Sequence, residues 1–452
     1  MQDARLPFHL KLIYGLGDHS INVALVALTM VFPFYLTDVV EMRPVLAGLV
    51  PLLGRVVDAV SDIYMGRLSD RTRWKAGRRR PFLLIGAVPF ALSFAAIWSA
   101  PGFEGDFGQF VFYSGVYVLI SISMTVCAIP YYSLMPDLTD SYHERTAIMT
   151  FRSALSLIGT LLIAVLFRPL VEIFGGDAPA WAMTGGVFAL WIVWPWLPIW
   201  WVTWERPPKE LTTPVPLLQY VEVIRGNRNF ARLLGLFALG RIAIDLPLAL
   251  FLHYFTYVIG KPNYFNGMMF TFIIGTVCAM PFWLRFARGR DKAQVYRFSC
   301  FGWMLTFLGL LAFQPEWPYW GMIVVSFLSG CGYAAADMMP WSMVADIADD
   351  DELASGERRE GIFMGIFTFV RKISGATGVF IGMSVLDLVG FEPNVQNSEV
   401  VLWAIRGLTA GVPILFILVS LWIATRYTLG QAQHSVILES LEEQRGERVP
   451  VV

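Results

Sequence analysis

Two stretches of this chain read almost alike. The first is Pro130-Tyr-Tyr-Ser133-Leu-Met-Pro-Asp137-Leu-Thr-Asp140, with Glu144-Arg145 after it; the second is Pro340-Trp-Ser342-Met-Val-Ala-Asp346-Ile-Ala-Asp349, with Glu357-Arg358 after it. Counted from Ser133 and Ser342, aspartates stand four and seven residues on in both copies. Each copy closes the fourth of six apolar runs, and each half of the chain holds one such set. Equivalent helices in equivalent order predict a parallel six-helix repeat.

The runs themselves place the chain in a membrane. Each is about 20 residues long, enough to cross a ~30 Å hydrocarbon core. They predict helices at 12–37, 43–68, 81–99, 110–136, 146–174 and 180–203 in the first half. The second half repeats the count at 230–259, 264–287, 294–313, 318–347, 361–389 and 399–426. Of the 452 residues 56% are hydrophobic and only 15% charged. A soluble domain carries roughly 25% charged residues, so an ordinary soluble enzyme is excluded. Between the sets, Glu205 to Asn229 holds Pro207, Pro208, Pro214 and Pro216 among several charges, which is a linker composition. The expected division is an N-terminal bundle over 1–204, a cytoplasmic linker over 205–229, a C-terminal bundle over 230–426 and a cytoplasmic tail over 427–452. The first apolar run is too long for a signal-peptide core and lacks a small-residue cleavage site after it, so it reads as a retained span.

Lysine and arginine set the orientation. Loops after odd-numbered helices hold Arg43 and Lys261 as their basic residues, and most of the other basic residues outside the spans lie after even-numbered helices or in the tails. Positive charge stays on the cytoplasmic side, so both termini are expected there. The expected fold is all-α and integral to the membrane, with twelve helices in two pseudo-symmetric bundles, the arrangement of the major facilitator architecture. The expected location is the inner membrane of a bacterium. Net charge is −1, which gives no footprint for nucleic acid. Cys127, Cys278, Cys300 and Cys331 stand singly in apolar stretches and read as small buried hydrophobes.

Ionised side chains at the bilayer centre cost about 2.5–3.5 kcal/mol each on insertion scales, so those present are paired or functional. The second helix carries Arg55, Asp58 and Asp62 at i, i+3 and i+7, on one face, with Ser61 beside them. Two carboxylates a turn apart repel unless a cation or proton lies between them, which is the property a coupling-ion site needs. The competing reading is a static network with Arg55, Arg152 or Lys372. Arg152 in the fifth helix and Lys372 in the eleventh hold corresponding places in the repeats. The arginine fork suits a carboxylate, a sulfonate or several hydroxyls, whereas the lysine is a point charge; the alternative for both is a structural counter-ion. Arg371 faces another direction on its helix, so at most one of the two cations lines a cavity. Asp18 and Asn22 are i,i+4 in the first helix and directed at that cavity. Tyr131, Tyr132 and Trp341 sit at inner ends of paired helices, where an aromatic stacks on a sugar ring or packs. Arg241 and Asp245 are i,i+4 and satisfy each other, His253 is a hydrogen-bonded structural histidine or a proton relay, and Asp337 is left open. The loop after the second helix holds Asp70, Arg71, Arg78 and Arg80, which orient the chain and suit a cytoplasmic gate. Glu439 to Arg445 is a polar segment without an assigned role.

At this point the chain resembles the glycoside–pentoside–hexuronide:cation symporters, the melibiose permease family of the major facilitator superfamily. The likeness spans essentially the whole chain. It is carried by Tyr14-Gly-x-Gly17-Asp18 with Asn22, Tyr35-x-Thr37-Asp38, Arg55-x-x-Asp58-Ala-x-x-Asp62-x-x-Met65-Gly66, and Asp70-x-Thr72-Arg73 through Gly77-Arg78-x-Arg80-Pro81. Ile129-Pro130-Tyr-Tyr-Ser133-Leu and Arg358-Arg359-Glu360-Gly361 complete it. The resemblance implies a cation site, Na⁺ or H⁺, at Asp58, Asp62 and Thr125, with Ser61 where melibiose permease has an asparagine. It implies that Arg152, Lys372 and Tyr132 meet the solute. It also shows departures: Asn22 and Ala128 stand where that permease holds galactoside hydroxyls with aspartates. Fewer acids beside two retained cations would suit an anionic glycoside.

The expected function is therefore cation-coupled symport of a sugar-like solute by alternating access, without a cofactor beyond the coupling ion, in a monomer. Two alternatives stand beside it. A lysolipid symporter shares the fold, and a membrane receptor or scaffold that has lost transport would show a broken cation site. No nucleophile–base pair, metal cluster or phosphate loop argues for an enzyme.

Overall fold

The computed structural model describes residues 6–103, 105–139, 141–206, 222–224, 226–357 and 359–447. Among the described residues the regular structure is helical, and Trp74 and Gly77 form an isolated bridge without any strand. Among the described residues eleven helices are long and apolar enough to cross a membrane. In chain order these are α1 (Phe8–Val39), α2 (Pro44–Arg71), α4 (Asp106–Leu138), α5 (His143–Ile173), α6 (Ala178–Val202) and α7 (Arg228–Val258). Then follow α8 (Tyr264–Phe286), α9 (Lys292–Ala312), α10 (Tyr319–Ser355), α11 (Glu360–Leu388) and α12 (Glu399–Ala424). Between α2 and α4 lies α3 (Arg80–Ala96), apolar but only 17 residues long. A polar helix that the sequence did not suggest, α13 (Gln431–Glu447), follows the last span.

Large apolar side chains such as Leu92, Ile173, Leu190, Phe282 and Leu388 are exposed on the helix surfaces. In water that would be a liability; in hydrocarbon it is the expected outer face. Within the bundles, small residues set close crossings. A Cβ on Gly159 of α5 would meet the His19 carbonyl oxygen of α1 at 2.9 Å, and one on Gly330 of α10 would clash with the Phe272 carbonyl of α8. His19 itself is locked on both sides. Its Nδ1 donates to the Leu155 carbonyl at 3.0 Å, and its Nε2 accepts from Trp191 Nε1 at 2.8 Å. It is a neutral structural histidine.

By internal packing the chain divides into two units. The first gathers residues 1–212, 249–257 and 379–404; the second gathers 213–248, 258–378 and 405–452. The linker prolines Pro207, Pro208, Pro214 and Pro216 lie outside the described residues, as do Asp140 and Arg358 of the repeated motif.

The repeated motif has a physical purpose that each unit shows separately. In the first unit, Arg79 donates to the Ser133 carbonyl at 2.6 Å and to Asp137 Oδ2 at 3.2 Å on α4. In the second, Lys292 donates to the Ser342 carbonyl at 3.1 Å and to Asp346 Oδ1 at 2.7 Å on α10. A cation at the start of the third or ninth helix thus grips the serine carbonyl and the acid one turn later. Both bonds tie the carbonyl and its acid to the start of the preceding helix. The aspartate seven residues after Ser342, Asp349, meets His434 of α13 at 3.0 Å, so this acid anchors the tail helix.

Glu205 completes the first clamp. Its carboxylate accepts from the backbone N–H of Arg78 (2.9 Å), Arg79 (3.0 Å) and Arg80 (2.8 Å), which are orphan donors at the start of α3. The turn that presents them needs Gly77, whose φ of +112° lies in the region open to glycine. Glu205→Ala is expected to destabilise the fold by about 1–2 kcal/mol, as loss of a helix cap does, and Glu205→Gln by less. Thermal unfolding in detergent reads both.

Candidate functional site

The acids of α2 meet the hydroxyls of α2 and α4. Asp58 is almost fully buried, and its spacing from Asp62 puts both carboxylates on the side that faces α4. Thr125 Oγ1 stands 3.0 Å from Asp58 Oδ1 and 2.9 Å from Asp62 Oδ1. A hydroxyl carries one hydrogen, so it donates to one carboxylate at a time. Ser61 Oγ reaches Thr125 Oγ1 at 3.3 Å and the Asp58 carbonyl at 3.0 Å. Five oxygens from four residues therefore converge. Arg55 Nη1 lies 3.6 Å from the other Asp58 oxygen, an ion-pair distance rather than a hydrogen bond.

Arg152 is engaged elsewhere. Its Nε and Nη2 both donate to the carboxylate of Asp18 on α1, the second at 3.3 Å. The guanidinium lies 5.3 Å from the ring centre of Tyr131 and 5.0 Å from that of Tyr132. Tyr14 and Tyr131 hold this roof together by donating to each other's carbonyls, at 2.6 and 2.7 Å. Asn22 donates to the Asp18 carbonyl at 3.0 Å. Asp18, Asn22, Arg152 and Tyr132 thus come together in the first unit. The positive surplus expected from Arg152 is met by Asp18, a residue across 134 positions of chain.

Lys372 and Trp341 belong to the second unit. There Arg371 stands over the Trp341 ring, 5.8 Å from its centre. Arg241 donates to both oxygens of Asp245 at 2.7 Å, the pairing expected from their spacing, and also lies 3.5 Å from Asp337.

The loop after α2 is a clamp inside the first unit. Arg79 joins Asp70 at 2.7 Å, Arg78 lies 3.6 Å from Asp137, and Arg80 donates to the Trp200 carbonyl at 2.6 Å. Arg71 is exposed. Sequence reasoning chose Arg78 and Arg80 and missed Arg79, the hub; three consecutive arginines give no signal for which one turns inward. It also missed a buried cluster at the far end of α1. Asp38 lies 3.3 Å from His253 and accepts from Tyr257, Thr37 lies 2.8 Å from His253 Nε2, and Asn394 donates to the Asp38 carbonyl at 2.9 Å. Both Asp38 and Tyr257 sit in π turns that end α1 and α7, a local widening common at functional sites. Nearby, Arg43 donates to Asp387 at 3.1 Å, which raises its pKa.

A family model described as MFS/sugar transport protein matches residues 13–431. The chain belongs to the MFS/sugar transport protein family. A symporter of Synechocystis sp. is 27% identical over 97% of this chain and 97% of its own length. The sodium-dependent lysophosphatidylcholine symporter 1-B of Danio rerio is 26% identical over 98% of this chain and 91% of its own. Among solved structures, the inward-open xylose transporter XylE of E. coli has a TM-score of 0.65 at 13% identity, covering 94% of this chain and 97% of that one. That likeness shows the fold. As an MFS/sugar transport protein the chain is a multi-pass membrane transporter of a small solute, not an enzyme.

Proposed function

We propose that the chain carries a hydroxylated, sugar-like solute together with a cation, Na⁺ or H⁺, by alternating access. The observation that carries this reading is the convergence of Asp58, Asp62, Thr125 and Ser61 oxygens. A hard cation takes oxygen ligands, and two carboxylates supply the charge that holds it. Among the described residues no three His, Cys, Asp or Glu side chains gather as a metal site, so Thr125 would complete the ligand set. A proton shared between the two acids relieves the same repulsion. The solute contacts in this reading are Asp18, Asn22, Tyr132 and Arg152 in the first unit, with Lys372 and Trp341 in the second. The gate is the Asp70, Arg71, Arg78 and Arg80 segment.

In the same reading α3 crosses the membrane too, since 17 residues is the short end of the spanning range. That makes twelve spans with both termini cytoplasmic, in the inner membrane of a bacterium, and a monomer suffices. A lysolipid solute is the second reading, favoured by the name of the Danio rerio relative. Uptake in proteoliposomes decides between them. A Na⁺ or H⁺ gradient, imposed separately, should drive accumulation of a sugar or glycoside; accumulation of lysophosphatidylcholine alone would replace the first reading by the second. Uptake indifferent to both gradients would remove the coupling.

A further inference from the structure

We infer that the loop between α8 and α9 holds the headgroup of an anionic phospholipid, with Arg288 and Arg290 on its phosphate. Such a lipid is independent of the solute carried, and only its leaflet, the cytoplasmic one, rests on the orientation proposed above. Arginine use differs between the two halves of the chain. In the loop between α2 and α3, Arg78, Arg79 and Arg80 are engaged by Asp137, Asp70, Glu205 and the Trp200 carbonyl. In the corresponding loop between α8 and α9 the clamp falls to Lys292, which takes Asp346. Asp291, the acid of that loop, is turned to the tail, where it accepts from the Gln431 N–H at 2.8 Å. Arg285, Arg288 and Arg290 are exposed, and among the described residues none of the three forms an ion pair.

Local geometry fixes where these charges lie. α8 ends in a tight turn in which the Arg290 N–H donates to the Ala287 carbonyl at 3.2 Å and Gly289 supplies a φ of +72°. Arg290 Nη1 donates to the Phe286 carbonyl at 2.8 Å, and its guanidinium lies 4.3 Å from the Phe286 ring centre. One nitrogen of the fork is thereby pinned, and its other N–H groups are left to meet a ligand. Phe286 in turn meets Phe282 and Phe298, with ring centres 5.9 and 5.7 Å away. Phe282 and Phe298 are 59% and 53% exposed, so the aromatic group that seats Arg290 faces hydrocarbon. Aromatic rings and arginines mark the level at which acyl chains end and phosphates begin. On α9, Arg297 stands four residues before the exposed Phe301, and its Nε is buried without a hydrogen-bond partner. A buried donor left open beside a lipid-facing stripe points to a ligand.

Chemistry decides the class of lipid. An arginine fork meets two phosphate oxygens at once, which a lysine does not. A zwitterionic headgroup brings its own ammonium against the arginines, whereas an anionic one brings none. Orientation of the chain by positive charge needs the charges alone. It does not need a fork seated on Phe286 or a buried Nε on Arg297.

The test is native mass spectrometry of the full-length protein in mild detergent, with phosphatidylglycerol, cardiolipin or phosphatidylcholine added at equal concentration. The wild type should retain phosphatidylglycerol or cardiolipin in preference to phosphatidylcholine. Arg288→Gln with Arg290→Gln should lower the apparent affinity by about tenfold or more, at roughly fivefold per arginine. Arg288→Gln alone should lower it about fivefold, which keeps the test open if α8 needs Arg290 to close its last turn. Arg73→Gln with Lys75→Gln removes the same charge from the loop between α2 and α3 and should leave retention unchanged. Unfolding temperatures without added lipid verify that each variant is folded. Equal loss in the two double variants, or equal retention of phosphatidylcholine by the wild type, overturns the site and reduces these arginines to orientation. Inorganic phosphate that raises the unfolding temperature as far as phosphatidylglycerol does overturns the lipid as the occupant. All these outcomes are read without transport, so they leave the carrier reading to its own uptake experiment.

Discussion

Replacing Asp58 by asparagine is expected to abolish gradient-driven accumulation in proteoliposomes while solute binding persists. The carboxamide keeps the size of the side chain and one acceptor but removes the negative charge that Thr125 and a cation would share. A hydrogen bond to a charged group contributes about 1.5–3 kcal/mol, so losing the charged ligand should cost on the order of 10- to 100-fold in cation affinity. Accumulation then falls to the level set by the solute gradient alone. Asp62→Asn should behave alike, because its oxygen stands 2.9 Å from the same hydroxyl. Thr125→Ala should cost roughly tenfold, as loss of one neutral ligand does, and Thr125→Ser little. Normal accumulation in both Asn variants would sink the assignment of the cation to α2 and leave the static ion-pair reading with Arg55.

Much of this architecture is legible in the sequence because the bilayer sets it. Hydrocarbon thickness fixes the length of each apolar run, so the expected helix over 264–287 is found at Tyr264–Phe286 and that over 399–426 at Glu399–Ala424. Where that constraint ends, so does the reading. The tenth helix was expected to stop at 347 but runs to Ser355, since Asp349, Asp350, Asp351 and Glu352 continue the helix beyond the apolar layer. α13 was invisible for the same reason, having no apolar run and being seated by His434 and a few buried side chains such as Leu441. The acids on α2 were legible from local spacing. Pairings made across the chain, such as Asp18 with Arg152 or Asp38 with His253, were not. They depend on which side chains converge once helices cross, and neither periodicity nor spacing carries that information.

Removing Asp18 alone should harm the fold more than removing Asp18 and Arg152 together. Their side chains are each 12% exposed and joined by two hydrogen bonds, so Asp18→Ala strands a guanidinium among Tyr131, Tyr132, Met135 and Met149. Breaking a buried pair from one side costs about 3–5 kcal/mol, because the remaining charge keeps its desolvation penalty and loses its partner. The two tyrosine faces offset part of that, at about 0.5–2 kcal/mol each. The double variant Asp18→Asn with Arg152→Gln removes both charges and keeps two polar side chains of similar size. It should therefore unfold at a higher temperature than Asp18→Ala or Asp18→Asn alone, and the cycle closed with Asp18→Asn and Arg152→Gln singly should give a favourable coupling energy. Transport should separate the two effects. Folding recovers in the double variant, yet uptake should not, if the fork of Arg152 and the carboxylate of Asp18 together meet the solute. A double variant that transports at the wild-type rate would reduce the pair to a structural strut between α1 and α5.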